Sequence, residues 1–560
     1  MTTNTFDAIV IGSGITGGWA AKELSEKGLK TLLLDRGPMV NHRVDYKTEG
    51  HGNFDLPYRG QWPPEAQERF THTSPVIGPA NYHFFNDDRK NPYINAEDKP
   101  YNWIRSDMFG GRSVVWGRQC YRWSDIDFEA NKTDGHGIDW PIRYRDIEPW
   151  YSYVEKFVGI SGERLGLRQL PDGEFLPPVE LSIAEKHFKR AVADNFDGRV
   201  VTVGRTANLT EAKPEQGRGQ CMNRAQCDRG CSFGAYFSTQ SSTLPAAMAT
   251  NNLTVKPDVV VESLEYDAES GRVTGVRTID ANTRARTVYR AKVVFLCASS
   301  IASTQILMNS TSEAMPDGLG NNHDILGRYL MDHTFGTGAT GTLPGYSEYV
   351  EYGRRPTGVY VPRFRNLDNQ ATEGNFIRGY NFQSWGPGRM PPADHAGFGV
   401  ELKEKLRVPG PWQIPLHAFC EILPHHENRM LLDARKVDRF GIPQVRFDVE
   451  FRDNELNMLA DATDQAVAML EAAGCIDIEE RGTPYPPGSG IHEMGGARMG
   501  DDPRESVLNR WNQLHDAPNL FLTDGAAMTS ASCVNPSMTY MALTARAASH
   551  AVELLQEGQI

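Results

Sequence analysis

Residues 6–17, FDAIVIGSGITG, constrain the fold more than any other segment. FDAIVI reads as a buried strand, and Gly12-Ser13-Gly14-Ile15-Thr16-Gly17 follows at once. Residues 15–27 then carry a helical pattern closed by Gly28, which can adopt the left-handed cap. TLLLD at 31–35 is a second apolar strand, and its Asp35 lies 18 positions after Gly17. Strand, G-x-G-x-x-G, helix, strand and acid together form a βαβ dinucleotide fingerprint in its proper context. Gly12, Gly14 and Gly17 let the backbone approach a pyrophosphate at a helix N-terminus, and Asp35 can accept hydrogen bonds from an adenosine ribose. The motif alone does not separate FAD from NAD.

The rest of the chain is organised around this opening. Residues 38–100 are rich in His, Tyr, Pro and Asn and read as loops and short elements, a candidate lid. A helix is expected within 140–160, a β-meander over 253–278 around Gly271, and a strand running into a helix over 291–308. From about 335 to 450, five short alternating segments (GVYVPRF, FIRGYNF, PLHAFCEIL, RMLLDARKV and PQVRFDVEF) predict one large antiparallel sheet. A helix at 453–473, a strand at 519–523 and a helix from about 537 to 556 complete the pattern.

Composition removes whole classes of function. A formal net charge of −13 disfavours a nucleic-acid partner, whose phosphates need a basic surface. No apolar run approaches the roughly 18 residues of a membrane span. The start, MTTNTFDAIV, has no basic n-region or cleavage site, so no signal peptide is expected. Eight cysteines in 560 residues do not make a disulfide scaffold. Three of them, Cys221, Cys227 and Cys231, are clustered as C-x5-C-x3-C. Zinc fits this spacing poorly, a disulfide would leave one thiol over, and plain loop cysteines are the default. His492 in GSGIHEMGGARMG and Asn535 in SASCVNPSMTY are each ordinary when taken singly; Asn535 before Pro536 reads as a helix cap.

Five blocks occur in one order: IGSGITGGWAAKELSEKGLKTLLLDRG, GGRSVVWG, VVFLCASSIASTQIL, HEMGGARMG and PNLFLTDGAAM…NPSMTYMALTARAA. Together they resemble the glucose–methanol–choline (GMC) flavoprotein oxidoreductases over nearly the whole chain. The resemblance implies an α/β fold (α+β overall), with a Rossmann-like FAD-binding domain and a substrate domain on a large antiparallel sheet. It divides the chain into a discontinuous FAD domain (1–48, 101–125, 200–335 and 490–560) and a substrate domain with lid (49–100, 126–199 and 336–489). It implies a catalytic pair at His492 and Asn535, His492 taking the hydroxyl proton as a hydride leaves for the flavin.

The same resemblance carries FAD contacts onto Arg36, Gly110, Gly111, Ser113, Trp116, Gly117, Asp524 and Gly525, with Val259 and Ala298 beside the adenosine. Some relatives link FAD covalently through a His in the segment matching GGRSVVWG. None occurs here, so non-covalent FAD is expected. The cysteine spacing resembles that of the catalytic subunit of bacterial sugar dehydrogenases. It implies a [3Fe-4S] cluster on Cys221, Cys227 and Cys231, a cytochrome c acceptor, and a small accessory subunit carrying the export signal. Location would then be periplasmic rather than cytoplasmic. The implied substrate is a carbohydrate hydroxyl, and the stretch HENRMLLDARKVDRFGIPQV leans toward C3 of glucosides. The same family includes pyranose-type oxidases, dehydrogenases of glucose, gluconate and fructose, and FAD-containing lyases.

Overall fold

The structure, a computed structural model, describes all residues except 1–3, 71–73, 75, 225, 352, 354, 369–373, 385–396 and 408–409. Its first sheet grows from the opening motif. Leu253–Lys256, Thr31–Leu34, Thr5–Ile11, the C-terminal half of Arg286–Leu296, and Leu520–Leu522 lie side by side, all parallel. Thr31 pairs with Leu253 and Thr5 with Arg290, so strands 222 and 285 residues apart meet in one sheet. The first strand is buried on both faces. Ile9 and Ile11 enter one core cluster and Ala8 and Val10 another, as expected of a parallel strand covered by helices on both sides.

The helix Ile15–Glu26 crosses this sheet at very close range. A Cβ on Gly17 would lie 1.7 Å from the Gly12 carbonyl oxygen, so only glycine fits there. Its C-terminus turns at Gly28, with φ 88°, as the sequence predicts. The meander Val259–Asp267 and Arg272–Asp280 pairs antiparallel with the first half of Arg286–Leu296. The C-terminal helix Ser537–Gln556 packs on Ile15–Glu26.

The second sheet has six antiparallel strands in the order 476–481, 337–343, 412–420, 380–383, 359–361, 202–203. One face is covered by the helices Ile183–Asn195 and Asp453–Ala472, which share its core through Phe188, Leu416, Met458 and Leu470. The expected single large sheet is corrected here. Arg429–Val437 and Pro443–Asp448 form a separate hairpin that pairs with Ile94–Asn95. Alternation marks a strand with one buried face but does not name its partner. This hairpin buries Met430, Val445 and Phe447 against Tyr101 and Trp103 instead. No helix among the described residues is long and apolar enough to cross a membrane.

Candidate active site

A cavity of about 600 Å3 opens along the C-terminal ends of the parallel strands and continues to the edge of the antiparallel sheet. This is where open α/β sheets place their ligands. Gly12, Gly14, Asp35, Arg36, Gly111, Ser113, Trp116, Gly117, Val259, Ala298, Asp524 and Gly525 all line it, as do His492 and Asn535. Two glycines expected there do not. Gly17 serves the helix–strand crossing described above. Gly110, with φ 93°, donates its N–H to Ser13 Oγ at 2.6 Å, and a side chain there would strike Gln240.

The cavity fits FAD on its own geometry. A Cβ on Gly14 would meet nothing within 4 Å, so the backbone is bare where a pyrophosphate would approach. The first intrahelical bond runs from Gly18 N–H to Gly14 O, which leaves first-turn N–H groups of Ile15 and Thr16 available beside the cavity. Asp35 accepts from Ser13 N–H at 2.9 Å and Gly37 N–H at 2.8 Å, which aims its carboxylate; burial pushes it up to about 6. At the other end Asp524 accepts from Ala526 N–H and Ser303 Oγ, and burial likewise raises it to about 6.

His492 and Asn535, 43 residues apart in sequence, are brought together at the sheet junction. Asn535 Nδ2 lies 3.4 Å from His492 Nε2. Burial, then His333 and Arg112, hold the His492 imidazole well below its ordinary pKa, so it rests neutral. Asp332 Oδ1 accepts the His492 N–H at 2.9 Å and its Oδ2 the Gly490 N–H at 3.0 Å. Burial and the Glu493 charge raise Asp332 to about 7. Arg112 pairs bidentately with Glu493, at 3.0 and 2.6 Å, and fixes the loop that carries His492.

Four contributors escape sequence reasoning. His333 Nδ1 lies 2.9 Å from His492 Nδ1. Gln383 Nε2 donates to Asn535 Oδ1 at 2.6 Å. Phe335 and Phe419 supply apolar walls at the catalytic end. None sits in a recognisable motif, and only the side-by-side placement of the strands 337–343, 412–420 and 380–383 brings them together.

The three clustered cysteines do not line the cavity. All are free and partly exposed, with Cys231 Sγ 3.7 Å from Arg224 Nη2 and burial raising the Cys221 thiol. Among the described residues, no group of three or more His, Cys, Asp or Glu side chains is placed to hold a metal ion. Cys227 and Cys231 also raise the Cys221 thiol, so the three lie near one another on one irregular segment. That segment backs the cavity all the same. Asp228 lines it, and Trp116 Nε1 donates to Phe237 O at 2.9 Å.

Comparison with known proteins agrees with the fold and site. The GMC oxidoreductase family models match residues 6–335 (N-terminal part) and 424–544 (C-terminal part). The chain belongs to the GMC oxidoreductase family and is an FAD-dependent oxidoreductase acting on CH–OH groups. It is 28% identical to 2-methyl-1,2-propanediol dehydrogenase of Mycolicibacterium austroafricanum, over 98% of this chain and 95% of the relative. It is 27% identical to the fructose dehydrogenase large subunit of Gluconobacter japonicus, over 99% of both. Pyridoxine 4-oxidase from Mesorbium loti shares the fold, with TM-score 0.60 at 16% identity, covering 98% of this chain and 99% of that one.

Proposed function

We propose that this protein is a dehydrogenase that oxidises a carbohydrate hydroxyl to a carbonyl, with His492 as base. The observation that carries the reading is the convergence of His492 Nε2 and Asn535 Nδ2, 3.4 Å apart, on the wall of the FAD-sized cavity. Gly14, Asp35, Gly111, Ala298 and Asp524 would hold FAD, which when bound supplies the acceptor for the C–H hydride. His492 Nε2 takes the proton of the substrate hydroxyl. Asn535 donates its amide N–H to the same oxygen and orients it. Phe335 and Phe419 shield the reacting carbon from water and offer flat faces to the C–H side of a sugar ring. The alcohol loses one proton from oxygen and one hydride from carbon.

C3 of glucosides is the finer reading, and the HENRMLLDARKVDRFGIPQV resemblance is its support. In the fold this stretch forms the separate hairpin, and its turn packs Phe440 and Ile442 on Val260 and Ile279. Its Asp438 and Ile442 line the same cavity, Ile442 beside Val260 and away from Gln383, Phe335 and Phe419 at the substrate end, so the C3 reading rests on the resemblance alone. Product analysis on glucose, gluconate and a methyl glucoside with an artificial acceptor tests the assignment. A lactone from glucose with no turnover of the methyl glucoside overturns C3. Substrate that leaves the flavin absorbance unbleached without oxygen overturns the dehydrogenase in favour of a lyase.

The two-domain division, the [3Fe-4S] cluster on Cys221, Cys227 and Cys231, the cytochrome c acceptor, the signal-bearing small subunit and a periplasmic location belong to the same reading. The cysteine spacing and the full-length likeness to a fructose dehydrogenase large subunit support it. An EPR signal with matching iron and sulfide in anaerobically purified protein, lost in Cys227→Ser, tests the cluster. Peroxide production that persists in that variant favours an oxygen-using oxidase.

A further inference from the structure

Two adjacent backbone carbonyls control both partners of the catalytic pair. The turn at Ser532, with φ 54°, is held by its own hydroxyl, which donates to Asp127 Oδ1 at 2.6 Å and accepts the Val534 N–H at 3.1 Å. The Ser532 carbonyl meets His333 Nε2 at 2.8 Å. The Cys533 carbonyl accepts from Asn381 Nδ2. A carbonyl oxygen only accepts, so each contact dictates where a hydrogen sits.

The first chain leads to His492. His333 Nε2 must carry its hydrogen to reach Ser532 O. His333 is 1% exposed, and burial lowers its pKa to about 4, so it is neutral and its Nδ1 is a bare acceptor. His333 Nδ1 and His492 Nδ1 are 2.9 Å apart, and that contact needs one hydrogen between them. It comes from His492. A neutral His492 then has no hydrogen left for Nε2. The second chain leads to Asn535. With Asn381 Nδ2 on the Cys533 carbonyl, its Oδ1 accepts from Gln383 Nε2 at 3.0 Å. Gln383 Nε2 also donates to Asn535 Oδ1 at 2.6 Å, which turns the Asn535 NH2 toward His492 Nε2.

We propose that His333 is a positioning residue which, anchored on the Ser532 carbonyl, holds His492 as the Nδ1–H tautomer with its Nε2 lone pair facing the substrate. The Cys533 carbonyl, through Asn381 and Gln383, aims the Asn535 amide at the same atom. The ring nitrogen away from the chemistry commonly decides which tautomer the working nitrogen adopts. The other charged groups around His492 are Arg112, Glu493 and Asp332, and none of them reaches its Nδ1 in place of His333.

The inference rests on His492 as base and is tested with the FAD-loaded enzyme. His333→Gln keeps an amide donor at the Nε2 position for the Ser532 carbonyl, but its acceptor oxygen no longer stands where Nδ1 faced His492. His333→Asn places a carbonyl oxygen where Nδ1 stood. His333→Gln should slow anaerobic flavin reduction by about 10- to 100-fold, a part of the range general-base catalysis spans. Its KM and FAD content should change far less. His333→Asn should recover most of the loss. A His333→Gln enzyme with the parent rate overturns the proposal. Nitrogen-15 NMR of histidine-labelled holoenzyme, assigned with His492→Ala, reads the tautomer directly even where a variant fails to fold; an Nε2–H His492 also overturns it. If His492→Ala reduces flavin normally, the base assignment itself fails, independently of His333.

Discussion

His492 Nε2 and Asn535 Nδ2 stand 3.4 Å apart, between a loop that follows the second sheet and the turn ahead of the last helix, whose N-cap is Pro536 rather than the Asn535 the sequence suggests. Truncating each therefore has a distinct outcome. His492→Ala removes the proton acceptor and should slow flavin reduction by roughly 10²- to 10⁴-fold, with FAD still bound. Asn535→Ala removes one hydrogen bond to the substrate oxygen and should cost less, about 10-fold, for a loss of about 1–1.5 kcal/mol. Anaerobic stopped-flow reduction measures both.

Gly14 and Gly17 separate binding from folding. Gly14 has φ −63° and open space before it, so Gly14→Ala should fold with a near-parental melting temperature. Its methyl group occupies the pyrophosphate approach, and FAD affinity should fall at least about tenfold, or about 1.4 kcal/mol. Gly17→Ala drives a methyl group into the Gly12 carbonyl at 1.7 Å and should prevent a soluble, FAD-loaded protein from forming. Flavin content and thermal unfolding of the two variants check the contrast.

His333 makes folding sensitive to acid. Its pKa falls from the ordinary 6.5 to about 4, because burial penalises the charged ring. The neutral form is favoured in the fold, so this contribution is complete above pH 6.5 and is lost as pH falls through 4. At about 1.4 kcal/mol per pH unit, it is worth up to about 3 kcal/mol. Asp332, raised to about 7, acts oppositely, its contribution being lost as pH rises through 7. Urea unfolding of the apoprotein from pH 7 to 4 should show a shallower loss in His333→Gln than in the parent.

Arg378 joins the second sheet to the segment around residues 131–134. It is fully buried, donating to Glu421 Oε1 and to Asp134 and to Asn131 Oδ1 at 2.8 Å. Arg378→Met leaves two carboxylates without their cation and should destabilise by about 3–5 kcal/mol, read as a lower urea midpoint.

Much of the nucleotide half was legible because its signals are local. The Gly12–Gly17 loop, the Gly28 cap and the acid at Asp35, which meets Ser13 22 residues away, lie within one βαβ unit, and all form as expected. The hairpin at 429–448 was misplaced because alternation reports a buried face without saying what buries it. Gly17 and Gly110 were assigned to the cavity because a motif gives residue type, whereas the fold uses both for close packing.

By itself, the sequence determined the βαβ opening and the strand and helix periods, which follow from steric and hydrophobic rules that act over a few turns of chain. The two groups that meet at the cavity were named only by the resemblance to the GMC family. Only the tertiary structure decided that residues 332–333, 381–383, 492 and 532–535 converge. Hydrogen bonds spanning 152 to 199 residues leave no periodic trace in sequence, and they are what set the protons on His492 and Asn535.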